Sequence, residues 1–270
     1  MNHFEYINGE LYAEGVSIRE MADKVGTPFF CYSTATLERH YKVYADAFDG
    51  LDATVCFAVK ANSNQAVLKT LANLGAGADV VSVGEMRRAL RAGMKPAKII
   101  FSGVGKADAE MREALEADIA QINVESIPEL NELNRVAIDM GKKARIALRV
   151  NPHVDAKTHE KIATGKSENK FGIDWTRAIE VYRDAAAMGG IEVTGIAMHI
   201  GSQLTDLAPF REAFTRLAGL VEQLRSEGID IRNLDLGGGL GIAYQGETPP
   251  LPAAYGQMVR ETVGHLGCHI

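Results

Sequence analysis

The sequence predicts an α/β fold built from repeated strand and helix units. Short apolar runs rich in β-branched residues alternate with longer amphipathic stretches through the middle of the chain. The first five runs begin about every 21 to 25 residues, which is close to the minimum for a strand, a helix and two turns. Right-handed crossovers in such a repeat give either an open doubly wound sheet or a closed barrel of eight units.

The first 33 residues do not follow this repeat. The dipeptide Asn8-Gly9 lies between strand-like residues and is a strong signal for a two-residue hairpin turn. The segment Thr27–Tyr32 reads as a further short strand, and a helix is predicted over Thr36–Ala47. Residues 1–33 therefore form a separate β segment in front of the repeat.

Seven strands are predicted within the repeat. They are Thr54–Lys60, Ala76–Ser82, Lys98–Gly103, Ala120–Ser126, Arg145–Asn151, Val193–Gly201 and Leu234–Gly239. The clearest helices are Asn64–Leu74, Glu85–Ala92 and Phe210–Glu227, with a last one over about 253–266. The final residues, Cys268-His-Ile, resemble the start of an eighth strand. Because such a short closing strand leaves edges unpaired, we expect either an open fold or a fragment of a longer barrel protein.

Composition excludes several classes of protein. The chain of 270 residues has 29 basic and 35 acidic residues, and its net charge of −6 gives no basic surface for nucleic acid. Its three cysteines are scattered, which indicates neither a disulfide framework nor a zinc site. No window approaches the roughly 18 apolar residues of a membrane span, and the N-terminus lacks a secretory signal. We expect a cytoplasmic protein with no metal, nucleic-acid partner or membrane partner.

Lys60 ends the first strand of the repeat, after a mostly apolar run, and so is expected at the C-terminal mouth of the sheet. Burial of its side chain there would favour the free amine, which Schiff-base chemistry requires. The alternative is a loop lysine whose amine extends into solvent.

Three consecutive glycines, Gly237, Gly238 and Gly239, end the last predicted strand at the same mouth. Backbone N–H groups of glycines can approach a phosphate closely, although a flexible turn is the simpler alternative. The full P-loop pattern and an early Gly-x-Gly-x-x-Gly are both missing from the sequence, which argues against ATP and dinucleotides.

His199, Ser202, Arg149 and Asp79 also lie in or near the ends of predicted strands. His199 could act as an acid, a metal ligand or a flat stacking surface, and Ser202 could donate to a phosphate oxygen. No second histidine accompanies His199 at a strand end, so a metal is the weaker option. Each residue alone could have a structural role, but their combination at strand ends is typical of a barrel active site.

These residues lie in motifs that resemble those of the barrel-type pyridoxal-phosphate decarboxylases, in particular the branch acting on diaminopimelate, over essentially the whole chain. The motifs are Phe57-Ala-Val-Lys-Ala-Asn, Gly77-Ala-Asp-Val, the segment Thr164–Gly172, His199-Ile-Gly-Ser-Gln and Asp235-Leu-Gly-Gly-Gly-Leu-Gly. The resemblance implies a (β/α)8 TIM-type barrel over residues 34–270 that is incomplete at strand 8. It also assigns residues 1–33 to a β domain whose C-terminal part is missing here.

The resemblance implies pyridoxal 5'-phosphate as the cofactor and a role for each candidate residue. Lys60 and His199 are the expected catalytic residues, because Lys60 would bind the cofactor covalently and His199 would stack on its pyridine ring. Asp79 would hydrogen-bond close to Lys60. The expected cofactor-binding residues are Lys60, Asp79, Arg149, His199, Ser202, Gly237, Gly238 and Gly239.

The implied reaction is decarboxylation of meso-2,6-diaminopimelate to L-lysine and CO2, the last step of lysine biosynthesis, by a full-length homodimer acting on a small amino-acid substrate. In the family, a Glu-Pro-Gly-Arg motif on the eighth strand contacts the ring nitrogen and the phosphate, and it would follow directly after Ile270. We therefore expect the full-length protein to be active and the 270-residue chain to be impaired or inactive.

Several alternatives stay open. A related decarboxylase acting on ornithine, arginine or a carboxylated polyamine is the nearest, and the segment around 165–172 favours diaminopimelate over these. A racemase on the same barrel fits the histidine and glycine motifs less well. A non-catalytic pyridoxal-phosphate carrier is an option of a different class, and a purely structural barrel would require the combination of residues to be accidental.

Overall fold

The computed structural model describes residues 3–154, 171–244 and 246–270. It begins with a three-stranded antiparallel sheet of β1 (Phe4–Ile7), β2 (Glu10–Ala13) and β3 (Val16–Ser17), followed by helix α1 (Ile18–Val25). The hairpin predicted at Asn8-Gly9 is confirmed, since Ile7 pairs with Glu10. Asn8 and Gly9 have φ values of 51° and 81°, as a two-residue hairpin turn requires.

The strand predicted over Thr27–Tyr32 is wrong. This segment is irregular, and none of its residues joins a sheet. Pro28 has no N–H to donate to a ladder, and Phe30 is 88% exposed, so the segment has neither the hydrogen bonds nor the buried face of a strand. Helix α2 (Thr34–Asp46) begins earlier than predicted because the Ser33 hydroxyl accepts the Thr36 N–H at 3.0 Å and caps it.

All seven strands predicted within the repeat are confirmed, most of them over shorter spans. The repeat contains β4 (Cys56–Ala58), β5 (Gly77–Val80), β6 (Ile99–Phe101), β7 (Gln121–Val124), β8 (Ala144–Asn151), β9 (Ile173–Asp174), β10 (Ile191–Ala197) and β11 (Asn233–Asp235). They form one parallel sheet in the order β4, β5, β6, β7, β8, β10 and β11, and the short β9 pairs with β8. Chain order and sheet order therefore agree, as in a barrel and unlike in a doubly wound sheet.

Helices connect consecutive strands. They are α3 (Gln65–Asn73), α4 (Val83–Ala92), α5 (Asp108–Glu116), α6 (Ile127–Asp139), α7 (Ala178–Ala187), α8 (Ala208–Ser226) and α9 (Pro252–Val263). Two of them start with the same local pattern, because Ser82 and Ser126 each accept an N–H from a glutamate three residues later. Within the part of the chain that the structure describes, no helix has the length and apolar character needed to cross a bilayer.

The hydrophobic core lies between the sheet and the surrounding helices. In β7, Ile122 and Val124 are fully or almost fully buried in this core, whereas the residues that alternate with them are polar. Tyr255 of α9 packs edge-on against Phe210 of α8, with ring centroids 5.1 Å apart. The helices thus cover the outer face of the sheet and leave polar side chains on its inner face.

The last residues close the barrel at the amino-terminal end of its strands. The His269 carbonyl accepts the Leu234 N–H at 2.8 Å, and the His269 N–H donates to the Arg232 carbonyl at 2.8 Å. On the other side, the Ile270 carbonyl accepts the Thr54 N–H at 2.7 Å, and the Ile270 N–H donates to the Asp52 carbonyl at 2.9 Å. The expectation of unpaired edges is thus wrong at this end. Toward the carboxyl ends, no described residue joins β11 to β4.

Candidate functional site

The structure brings the predicted site residues together at the carboxyl-terminal mouth of the barrel. Lys60 lies in a 3₁₀ turn, Val59–Ala61, directly after β4, and Asp79 pairs with Ala58 on the neighbouring strand. His199 follows β10. The positive charge of Lys60 lowers the pKa of both Asp79 and His199, and so does that of Arg149. The four side chains therefore share one electrostatic environment.

Lys60 differs from the sequence expectation in one respect. The residue is exposed, because the 3₁₀ turn carries it out of the strand and beyond the apolar residues that precede it. The expected desolvation of its side chain is not found among the described residues. Its amine is accessible at the mouth, which is where a covalent attachment would need it.

Asp79 is a carboxyl group held in the barrel interior. The Ser102 hydroxyl donates to its Oδ1 at 2.6 Å. Burial raises the pKa of Asp79 to about 6, and the negative charge of Asp235 adds to the increase. The Ser102 hydrogen bond and the charges of Lys60 and Arg149 oppose this shift only in part. Asp79 is thus half protonated near pH 6, and a minor protonated fraction remains at neutral pH.

Arg149 is fixed by a carboxylate that the sequence analysis missed. Its Nη1 lies 3.0 Å from both oxygens of Glu125, whose side chain is only 1% exposed. Glu125 also accepts the Gly103 N–H at 2.9 Å. On its other side the guanidinium lies 5.2 Å from the centre of the Phe171 ring. Arg149 is therefore held in one orientation by charge and by packing.

A buried ion pair lies beside Glu125. Lys106 Nζ is 2.7 Å from Glu129 Oε1, and the two side chains are 1% and 9% exposed. Lys106 also donates to the carbonyls of Gly103 and Asn123, at 2.6 and 2.7 Å. This ammonium satisfies the acceptors left at the ends of β6 and β7, and thereby supports the backbone next to Glu125.

His199 is half-buried and neutral at physiological pH. Burial lowers the pKa of His199 to about 4, and the positive charges of Arg149 and Lys60 add to the decrease. The Gly238 N–H faces His199 Nδ1 at 3.4 Å, which favours the tautomer protonated on Nε2. The side chain presents an uncharged flat ring at the mouth, and this suits stacking better than proton donation.

The glycine loop after β11 packs directly on the segment that follows β10. A Cβ on Gly237 would lie 2.5 Å from the Met198 carbonyl oxygen, and one on Gly239 would overlap the Gly201 carbonyl oxygen. Gly237 and Gly239 have φ values of 70° and 106°, which also favour glycine. Within the described residues no acceptor pairs with the Gly239 N–H. The loop thus leaves a donor available next to Ser202, which is exposed.

A network of buried polar side chains lies below the mouth, and sequence reasoning missed it. The Asn123 amide donates to Ser102 Oγ at 3.1 Å and to Asp235 Oδ2 at 2.6 Å, and it accepts from Gln121 at 2.9 Å. The signal was present in β7, where Gln121, Asn123 and Glu125 alternate with apolar residues. Polar residues at this period predict a polar face directed away from the helices.

Other parts of the molecule contribute less to the site. Most of the predicted motif Thr164–Gly172 lies outside the described residues. Two clefts among the described residues lie at the opposite, amino-terminal end of the strands, around Asp118 and around Asp49. Within the described residues no cluster of histidine, cysteine or acidic side chains could hold a metal ion.

The sequence of the chain is similar to those of known proteins. Residues 34–268 match the family described as pyridoxal-dependent decarboxylase, pyridoxal binding domain. The chain is 54% identical over 261 residues to a diaminopimelate decarboxylase of Pseudomonas aeruginosa, covering 97% of this chain and 63% of that protein. It is 53% identical to the diaminopimelate decarboxylase of Vibrio cholerae, covering 94% of this chain and 61% of that protein.

A solved structure has a similar fold. The diaminopimelate decarboxylase of Helicobacter pylori complexed with L-lysine superposes with a TM-score of 0.90 at 42% identity, covering 93% of this chain and 64% of that one. This chain spans about 63% of the length of the curated relatives that it matches. The chain belongs to the pyridoxal-dependent decarboxylase family.

Proposed function

We propose that this chain forms the pyridoxal-phosphate-binding barrel of a diaminopimelate decarboxylase, and that the whole protein converts meso-2,6-diaminopimelate to L-lysine and CO2. The observation that carries the proposal is the convergence of Lys60, Asp79, Arg149 and His199 with the glycine loop at one mouth. This convergence occurs in a chain that is 54% identical to a diaminopimelate decarboxylase.

The mouth has the donor set that a phosphate needs. The backbones at Gly237 and Gly239 approach the neighbouring segment too closely for any side chain, and the Gly239 N–H has no acceptor among the described residues. The Ser202 hydroxyl is exposed on that neighbouring segment. We assign Ser202 and residues 237–239 to the phosphate. The Gly239 N–H and the Ser202 hydroxyl are suitable donors for its oxygens, and Gly237 and Gly238 give the loop its shape.

The remaining side chains suit the aldehyde and the ring of the cofactor. Lys60 offers an accessible primary amine for covalent attachment. His199 offers a neutral flat ring that can lie against an aromatic ring without a charge penalty. Asp79 can donate a hydrogen bond in its protonated form and accept one in its ionised form, and with a pKa of about 6 it is mainly an acceptor at neutral pH. Lys60 and His199 are thus the catalytic residues that we propose.

The cofactor and the protein have different roles in the proposed reaction. Bound pyridoxal phosphate would supply the electron sink that decarboxylation of an amino acid needs. The protein positions the reacting groups and supplies charge. The side-chain amine of Lys60 takes up and releases protons. Arg149, held in place by Glu125, provides a guanidinium group at the mouth. Because Glu125 already pairs with Nη1, only the remaining guanidinium N–H groups of Arg149 would donate to a carboxylate or phosphate oxygen at the mouth.

The test of cofactor binding is an absorbance titration with pyridoxal phosphate, followed by borohydride reduction and peptide mass spectrometry. We expect a red-shifted band and a reduced adduct on the peptide containing Lys60. Lys60→Ala should lose both, whereas Lys69→Ala, which removes an exposed lysine on α3, should keep both. An adduct on another lysine, or a band that persists in Lys60→Ala, would contradict the assignment.

The test of the reaction is a coupled measurement of CO2 and lysine from meso-2,6-diaminopimelate with the whole protein. Ornithine, arginine and a carboxylated polyamine serve as competing substrates. Turnover of one of these in preference to diaminopimelate would contradict the proposed substrate. Cofactor binding without release of CO2 from any of them would indicate a non-catalytic carrier instead.

We also propose that residues 1–33 belong to a β domain and that the barrel starts at residue 34. Two observations support this boundary. The three-stranded sheet of the N-terminal segment pairs only with itself among the described residues, and the family match begins at residue 34. A homodimer of the whole protein, a cytoplasmic location and a small amino-acid substrate are further parts of the same proposal.

A further inference from the structure

The carboxylate of Asp235 connects the glycine loop to the opposite side of the barrel. Its Oδ1 accepts the Gly237 N–H at 2.9 Å, and its Oδ2 accepts the side-chain amide of Asn123 at 2.6 Å. Asn123 lies on β7 and Asp235 on β11, with β8 and β10 between them in the sheet. This hydrogen bond therefore crosses the barrel interior and does not follow the sheet.

The orientation of the Asn123 amide is determined by its partners. Its nitrogen donates to Asp235 and to Ser102, and its oxygen accepts from Gln121. The opposite orientation would place an oxygen against the Asp235 carboxylate and a nitrogen against another donor. Asn123 is 3% exposed, so water does not compete for these bonds. The amide can act as a fixed anchor for the carboxylate.

The anchored carboxylate in turn sets the start of the glycine loop. Because Asp235 Oδ1 accepts the Gly237 N–H, this N–H is already bonded within the protein, and the bond holds the first turn of the loop. The loop then turns at Gly237, with φ of 70°, and the Gly238 N–H that follows faces His199 Nδ1. Rotation of Asp235 would release this turn, since the bond to Gly237 depends on the side-chain orientation.

We infer that Asn123 is a positioning residue: through Asp235 it holds the glycine loop in the shape that binds the phosphate of the cofactor. The inference rests on the proposed function, because it takes the loop as the phosphate site. It goes further in assigning phosphate affinity to a side chain on the far side of the barrel that itself touches no part of the loop.

The experiment compares two ligands that differ only in the phosphate. Pyridoxal phosphate and pyridoxal are titrated against wild type and against Asn123→Ala, with thermal unfolding measured on each protein. We expect Asn123→Ala to weaken pyridoxal phosphate binding at least tenfold and pyridoxal binding less than threefold. Asp235→Asn conserves volume and places an amide against the Asn123 amide, so it should show the same selective loss even if the alanine variant folds poorly.

Ser102→Ala is the matched control. It removes another hydrogen bond of Asn123, at 3.1 Å, but leaves the bond between Asn123 and Asp235 in place. Its ratio of the two affinities should equal that of wild type. An unchanged ratio in both Asn123→Ala and Asp235→Asn, including an equal loss for both ligands, would overturn the inference. A wild-type protein that binds both ligands equally would instead refute the phosphate site of the proposed function.

Discussion

Substitution of Gly239 by alanine tests whether the loop is as tightly packed as the structure indicates. A Cβ at this position would overlap the Gly201 carbonyl oxygen, and the backbone has φ of 106°, which L side chains rarely adopt. The unfavourable φ costs about 1–3 kcal/mol, and displacing packed backbone costs about as much again. We expect Gly239→Ala to lower the free energy of unfolding by about 4 kcal/mol.

The neighbouring glycine provides the control. A Cβ on Gly238 would meet no atom within 4 Å, and its φ lies outside the left-handed range. Gly238→Ala should therefore change stability by less than about 1 kcal/mol, and in the stabilising direction, because it restricts the unfolded chain. Urea denaturation of both variants measures the difference, and a thermal scan should show Gly239→Ala roughly 10 °C below Gly238→Ala. Equal stability of the two variants within about 0.5 kcal/mol would refute the reasoning.

Three further predictions concern the charged groups. The pKa of Asp79 is raised to about 6, so the native state keeps a proton that the unfolded state releases, and stability falls as pH rises from about 4 to 6, by as much as about 3 kcal/mol. Asp79→Asn should flatten this dependence in pH-dependent urea denaturation, and an unchanged slope would count against the buried carboxyl. Lys106→Met leaves the Glu129 carboxylate buried without its partner and should lower the free energy of unfolding by about 3–5 kcal/mol. The double variant that also carries Glu129→Gln should recover much of this loss. If it does not, the ion pair is not the cause of the loss. His199 should show no NMR titration between pH 5 and 8. Arg149→Met should raise the pKa of His199 from about 4, because a neighbouring positive charge is removed. A midpoint above pH 6 in wild type would contradict the buried neutral ring.

The repeat could be predicted from the sequence because each unit follows local rules. Apolar runs of the right length predicted every main strand, and Asn8-Gly9 predicted the hairpin. Strand ends were less predictable. The predicted strands extend to Lys60 and Gly239, whereas β4 and β11 end at Ala58 and Asp235, because the residues beyond them leave the sheet to form the mouth.

The rest could not be predicted because it depends on contacts between distant parts of the chain. The bond between Asn123 and Asp235 joins residues 112 positions apart, and no local pattern pairs them. The exposure of Lys60 depends on a turn that the apolar run before it does not reveal. The predicted strand at Thr27–Tyr32 fails for a different reason: its local composition favours a strand, but no described strand pairs with it.

The residues at one end of the barrel stabilise the fold, whereas those at the other end include buried ionisable groups that destabilise it. At the amino-terminal end, His269 and Ile270 complete backbone hydrogen bonds to both neighbouring strands, so the groups there are satisfied. At the carboxyl-terminal end, Asp79 and His199 are held with pKa values far from those that they would have in water, and both shifts are due chiefly to burial. Burial of ionisable groups is unfavourable, and proteins retain it mainly where the altered protonation is used. Replacing Asp79 by asparagine should therefore stabilise the fold above pH 6 while impairing the site, which separates its role from that of the closing residues.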